Sequence, residues 1–177
     1  MLPQRRPVEV AAEAVEMLRY KEMSLFDAPE GALIVHACNC QGVWGSGIAA
    51  EFAKRYPKSF ETYRDICNEA FAADTEPELL LGWSEILPEQ EGEAHRIGCL
   101  FTSKDYGRNV DPPIEIVVNT VSAVCDLFIS CTHLGFDRVY SNKFNSGFFN
   151  VPWQYTEAIL GTLFGSLDFE WIVCDPE

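Results

Sequence analysis

The stretch 32–38, ALIVHAC, is apolar almost throughout and runs directly into a segment with three glycines, Gly42, Gly45 and Gly47. An unbroken apolar run without alternation is what a strand covered on both faces requires. The glycines let the backbone turn sharply and approach other groups closely. Beyond them Ile48, Phe52 and Tyr56 recur at helical spacing, with Ala49 and Ala53 widening the stripe. Buried strand, glycine-rich loop and helix therefore follow one another within a single short segment.

The same alternation continues along the chain. Pro57 stops the first helix or starts the next, and Phe60, Tyr63, Ile66 and Cys67 carry the helical pattern on. Strands are expected over 18–23, 79–87, 96–102, 138–144 and 169–174, and helices over 113–134 and 152–164. The acidic segment 89–93 reads as a solvated connection. In the long helix, Ile114, Val117, Val118, Val121, Cys125 and Phe128 read as one core-facing stripe. Strands alternating with helices imply an α/β layered domain with a mostly parallel sheet. The 177 residues fit one domain over 1–177, with about 1–15 as an N-terminal extension in which Glu9, Glu13 and Glu16 form a solvated face or a loose arm.

Charge and cysteine content narrow the function. A formal net charge of −14 disfavours holding a nucleic-acid duplex by phosphate neutralisation. It leaves open an anionic small ligand, because helix-start N–H groups bind phosphate without a cationic side chain. The seven cysteines are irregularly spaced and Cys38-x-Cys40 has no second pair at ligand spacing, so reduced thiols and no metal are expected. The segment 1–10 has Arg5 and Arg6 but no apolar core behind them, and no apolar run approaches the ~18 residues of a membrane span. The expectation is an intracellular protein, cytoplasmic or nuclear, without a membrane partner, and a monomer.

Two strand-to-helix loops stand out as sites for chemistry. One is Asn39 to Gly47 and the other is 145–153, NSGFFNVPW. In open α/β sheets ligands sit beyond the carboxyl ends of the strands, where strand order reverses. Two such loops side by side, each feeding a helix start, would cradle a diphosphate. Other phosphate and hydrolase signatures are absent: no G-x-x-x-x-G-K-[ST], no G-x-G-x-x-G and no G-x-S-x-G occurs. Hydrolysis at such a site is expected to use water directly.

HACNCQGVWGSGIAAEFAKRYP together with NSGFFNVPW resembles the macro domain, an ADP-ribose-binding three-layer α/β/α module with a mixed, mostly parallel sheet of about six strands. CLFTSKDYG, 99–107, is similar to the branch that includes the fungal ADP-ribose 1''-phosphate phosphatase. The resemblance implies phosphatase activity on ADP-ribose 1''-phosphate, a by-product of tRNA splicing, without a cofactor. Its alternatives are a module that binds ADP-ribose or ADP-ribosylated protein, or a hydrolase that removes ADP-ribose from protein. It places Asn39 at the distal ribose, Gly45, Ser46, Gly47 and Ile48 in a first phosphate loop, and Asn145, Ser146, Gly147, Phe148 and Phe149 in a second. Ser24 and Leu25 fall at the adenine, where Ser24 and Met23 depart from the usual residues. The lysine and aspartate of the related glycohydrolase are replaced by Ser103 and Phe149. Asn39 and His36 are the catalytic candidates: Asn39 to orient ribose or water, and His36 either to move a proton or to sit as a hydrogen-bonded core residue. Trp44 either covers the ligand or packs. Lys104 and Asp105 read as a solvated turn, and Asn150 as an N-cap ahead of Pro152.

Overall fold

The computed structural model describes residues 18–72, 77–164 and 168–176; the N-terminal extension lies outside them. The strands are β1 (Leu18–Lys21), β2 (Leu33–Asn39), β3 (Ser84–Ile86), β4 (Arg96–Ser103), β5 (Arg138–Ser141) and β6 (Glu170–Cys174). The helices are α1 (Gly47–Arg55), α2 (Pro57–Ala72), α3 (Pro113–Leu134) and α4 (Trp153–Phe164). The sheet order is β1-β6-β5-β2-β4-β3, parallel except for the antiparallel β3–β4 pair. This is the mixed, mostly parallel six-stranded sheet expected.

The unalternating run of β2 has its reason here. Ile34 and Cys38 enter a core shared with Phe52, Tyr56 and Tyr63 of α1 and α2. Leu33 and Val35 enter a second core with Ala123, Val124 and Leu127 of α3 and Leu160 of α4. Both faces of the sheet are thus covered by helices, which makes three layers. In the first core, His95 joins distant segments: its Nε2 lies 2.8 Å from the Ala28 carbonyl and its Nδ1 2.6 Å from the Tyr56 hydroxyl. The hydroxyl donates to Nδ1 when Nε2–H donates to the carbonyl.

From β2 the chain passes through α1 and α2 to β3 and β4 on one side of the sheet. From β4 it crosses by α3 to β5, on the other side of β2. The register of β2 on β5 pairs Ile34 with Tyr140 and Val35 with Ser141. The loops after β2 and β5 therefore leave neighbouring strand ends in opposite directions. That is the switch point at which such sheets bind ligands.

Three expectations about the elements are corrected. The segment 79–87 is not one strand: a 3-10 turn over Pro77–Leu80 is followed by Gly82 at φ +76, and the strand is Ser84–Ile86, with main-chain bonds to β4 continuing at Gly82, Trp83 and Leu87. The strand expected over 138–144 ends at Ser141, where the chain begins its loop. The stripe on α3 is displaced. Its buried residues are Ile116, Thr120, Ala123, Val124, Leu127 and Cys131, whereas Ile114 is 69% and Val118 60% exposed. With a mean hydropathy of 1.7 the helix is apolar on most sides, so periodicity alone does not choose its inner face. By length and composition α3 could span a bilayer; here its inner face packs on β4, β3 and α4. Pro113 starts it and Gly135, at φ +80, ends it.

The tightest backbone approach in the sheet is at Gly98, opposite Val35 in the β2–β4 register. A Cβ there would lie 2.5 Å from Val35 Cγ1. Gly98→Ala is expected to lower unfolding free energy by about 1–3 kcal/mol through overpacking. Adding Val35→Ala should then cost less than it does alone. Urea titration of the four proteins of this cycle checks the coupling.

Candidate functional site

The first loop is held from within by Asn39. Its Oδ1 accepts from the N–H groups of Gln41 (3.0 Å) and Val43 (3.3 Å), and its Nδ2 donates to the Val43 carbonyl (2.7 Å). The Tyr63 hydroxyl lies 2.7 Å from the Asn39 carbonyl and 3.0 Å from its Oδ1. Below the loop, the Trp44 ring stacks on Tyr63 with centroids 4.7 Å apart and on Phe60 at 5.3 Å. Trp44 therefore packs rather than covering a ligand. With the loop pinned at both points, Gly45, Ser46 and Gly47 stand exposed above it.

Helix α1 starts at Gly47. Ser46 is extended, at φ −153 and ψ 164, and its hydroxyl makes no capping bond. The first intrahelical acceptor, Ser46 O, takes the N–H of Ala50. The N–H groups of Gly47, Ile48 and Ala49 precede that bond, so the helix itself gives them no acceptor. Together they carry the partial positive charge of a helix start.

The second loop is held by Asn145, which is 4% exposed and sits at φ +66. Its Oδ1 accepts from the Thr102 hydroxyl at 2.8 Å. Its Nδ2 donates to the Thr120 hydroxyl at 2.9 Å and lies 3.5 Å from that of Thr156. One side chain thus ties the loop to β4, α3 and α4. The Asn145 carbonyl accepts from Val151 N at 2.9 Å, closing the loop at its base. Ser146, Gly147 and Phe148 project from it, and the Ser146 hydroxyl turns back to the Lys143 carbonyl.

The two loops meet. Gly47 adopts φ +55, and a Cβ there would lie 3.0 Å from Cε2 of Phe148. The exposed Phe148 ring therefore rests on the start of α1. Only glycine combines this backbone conformation with this approach.

The predicted site residues separate accordingly. Gly45, Ser46, Gly47, Ser146, Gly147 and Phe148 come together at the exposed edge of the loops, with Ile48 and Phe149 half-buried beside them. Asn145 lies beneath the second loop as its anchor. Ser24 caps the 3-10 turn Leu25–Asp27, accepting from Phe26 N at 3.3 Å, and the Leu25 side chain belongs to the core. Asn39 is largely committed to its own loop; among the described residues, one amide hydrogen remains for a ligand. His36 is a correction. It is fully buried, stacked on Phe52 with centroids 3.9 Å apart and edge-on to Trp44 at 4.7 Å. Its ring faces the α1–α2 layer, not the cleft, because it shares the side-chain direction of Ile34 and Cys38 along β2. Asn150 is corrected as well: at φ +58 it is a turn residue, three positions before α4.

Beside His36 lie two thiols. Burial drives the Cys38 thiol upward, but the Cys99 thiol, the His36 ring and the Trp44 indole all face its sulfur and bring it down to about 5. Cys99 moves the opposite way, well above the usual thiol range, through burial and the same shared hydrogen bond. Residues that sequence reasoning missed are Tyr63, Thr102, Thr120 and Thr156. In sequence they are unremarkable members of helices and a strand.

The family model for the macro domain matches residues 35–160.

The chain belongs to the macro domain family. An Aspergillus fumigatus protein named ADP-ribose 1''-phosphate phosphatase is 37% identical over 172 residues, covering 78% of this chain and 86% of that protein. Proteins of the same name from Debaryomyces hansenii and Lodderomyces elongisporus are 32% and 38% identical and are covered over 100% and 99% of their length. Among solved structures, the macrodomain of Mycobacterium tuberculosis DarG superposes with a TM-score of 0.75 at 23% identity, covering 91% of this chain and 99% of that one. Thermosipho africanus DarTG in complex with ADP-ribose gives 0.71 at 13% identity, covering 92% of this chain and 42% of that one. At these identities the structures establish the fold, and the relatives establish the branch that 36–57 and 145–153 resemble.

Replacing Asn145 by Ala leaves the buried Thr102 hydroxyl without its acceptor, removes the donor to Thr120, whose own bond to the Ile116 carbonyl stays, and leaves the left-handed backbone without the side-chain bonds that offset its strain. A loss of roughly 2–4 kcal/mol in unfolding free energy is expected. Denaturant unfolding measures it, and a loss within 0.5 kcal/mol of zero, roughly the level of a neutral surface change, would remove Asn145 as the anchor.

Proposed function

We propose that this macro domain is an ADP-ribose 1''-phosphate phosphatase, releasing the terminal phosphate to leave ADP-ribose. The observation that carries the proposal is the contact of Gly47 with Phe148, which joins a helix start and a second glycine loop into one main-chain cradle. The names of its fungal relatives support the same reaction.

The chemistry follows from the donor set. Cleavage of a phosphomonoester needs the leaving and transferring oxygens held and their growing charge stabilised, with water in line. Fixed N–H donors at the start of α1 supply the charge term, each donor of this kind being worth about 2.7–4 kcal/mol. The diphosphate of the ADP-ribosyl group lies along the two loops. The remaining amide hydrogen of Asn39 orients the distal ribose or the attacking water. His36 stays beneath the site and takes no part in proton transfer.

Removal of ADP-ribose from protein fits less well. Ser103 stands where the glycohydrolase relative has its lysine. It is fully buried, its hydroxyl donates to the Asp105 carbonyl at 2.7 Å and accepts from Asp111 N at 3.2 Å, and Phe149 stands in place of the aspartate. One observation favours a second reading, a module that holds ADP-ribose or an ADP-ribosylated protein without turnover: the two side chains singled out for catalysis are a core histidine and a loop-holding asparagine.

Incubation with ADP-ribose 1''-phosphate separates the readings. Phosphate release at catalytic rates is expected; binding of ADP-ribose by calorimetry without release would establish the module instead. Gly47→Val puts a branched Cβ at φ +55 against Phe148 and is expected to lower kcat/KM at least tenfold and the melting temperature by several degrees, with circular dichroism at the assay temperature checking that the variant is folded. An unaltered kcat/KM in that variant would mean that the ligand does not lie on the first loop.

A further inference from the structure

Pairing of β2 with β4 gathers three soft ligands that the sequence keeps apart. Cys99 is directly opposite His36 in the register, and Cys38 follows His36 by two residues on the same face. The ligand atoms of His36, Cys38 and Cys99 lie within 4.8 Å of one another. Cys38 Sγ is 3.6 Å from His36 Nε2 and 3.9 Å from Nδ1. In a tetrahedral site with Zn–S of about 2.3 Å and Zn–N of about 2.0–2.1 Å, sulfur and nitrogen are about 3.5 Å apart. All three side chains are at most 1% exposed.

A disulfide is not the reason for this arrangement. Strand spacing near 4.8 Å and a rise near 3.3 Å per residue separate the Cα atoms of Cys38 and Cys99 by about 8 Å. A disulfide allows no more than about 7 Å. Beside the cluster is a second, independent oddity. The Trp44 indole nitrogen is buried and has no hydrogen-bond partner among the described residues, and its ring stands edge-on to His36 at 4.7 Å.

We propose that His36, Cys38 and Cys99 bind one thiophilic closed-shell cation, zinc(II) or copper(I), as a structural rivet between β2 and β4 immediately below the first loop. The neutral imidazole supplies one nitrogen and the two thiols supply thiolates, releasing two protons to solvent as the ion binds. The ion enters during folding, because the packed rings of Trp44, Phe52 and Tyr63 close the cluster from the helix side. The site is separate from the phosphate cradle, and its existence does not depend on the proposed phosphatase activity.

The test uses the full chain expressed in medium supplied with zinc or with copper and purified without chelator. Elemental analysis is expected to find close to one equivalent of one of these metals per chain, and which metal is retained identifies the ion. X-ray absorption at that metal's edge should show sulfur and nitrogen ligands. Cobalt(II) added during refolding should give thiolate-to-metal charge-transfer absorption. Zinc or copper(I) at a hundredfold excess over Kd during refolding should raise Tm by roughly 5–10 °C. Cys38→Ser and Cys99→Ser should lose the metal, whereas Cys125→Ser, a half-buried thiol on α3, should keep it. Wild-type protein that is metal-free from every medium and gives no cobalt band overturns the proposal. So does metal retained in full by folded Cys38→Ser and Cys99→Ser.

Discussion

Everything at the site depends on the side-by-side pairing of β2 and β5. They are parallel neighbours in the middle of the sheet, yet their outgoing connections lie on opposite faces. The two loops come together beyond the paired strand ends, where Phe148 of the second lies against Gly47 of the first. The same pairing fixes the direction of α1, whose start faces the second loop. Shifting either strand by one residue would turn its core side chains to the wrong face and move its loop out of reach.

Two asparagines hold that geometry, each for a different reason. Asn39 follows a register shift in the β2–β4 ladder between Cys38 and Asn39, where the regular strand pairing breaks. Its short amide replaces the missing partners of Gln41 and Val43. Asn145 has to adopt φ +66, which asparagine tolerates better than most residues. From there its amide reaches three threonine hydroxyls on three elements. The polar groups nearest the ligand cleft are thus spent on shaping backbone, and the backbone is left to meet the ligand. Below the first loop the aromatic stack of Trp44, Phe60, Tyr63 and Phe101 provides the apolar floor on which this arrangement rests.

Much of this was legible in the residues. The unbroken run of β2 announced a doubly covered strand, and the glycines with the following stripe announced α1. The pairing of the two loop motifs points to the macro domain. What escaped did so for physical reasons. The inner face of α3 was unreadable because its composition is apolar nearly all round, so Ile114 and Val118 looked like core and are exposed. The burial of His36 follows from its place inside β2, where both faces of the sheet are covered and strand phase chooses only which of the two cores the ring enters. The threonines that receive Asn145 had no local signature, because their meaning arises only when β4, α3 and α4 assemble. The same holds for Cys99, which lies far from His36 in sequence and becomes its neighbour only through the parallel ladder.

An acidic protein with net charge −14 might look unsuited to a diphosphate. The conflict is one of range. Repulsion from carboxylates scattered over the surface is screened beyond about 8 Å at physiological ionic strength. N–H groups at hydrogen-bond distance act within that length, in a partly desolvated cleft where each donor is stronger than in water. Such donors also select by shape: they serve an anion whose oxygens fit the fixed spacing of two loops and offer little to a diffuse polyanion. A lysine in their place would attract both. The acidic surface and the uncharged cradle are therefore compatible, because the donors that would hold a small phosphorylated ligand act at contact, inside the range over which the surface charge is screened.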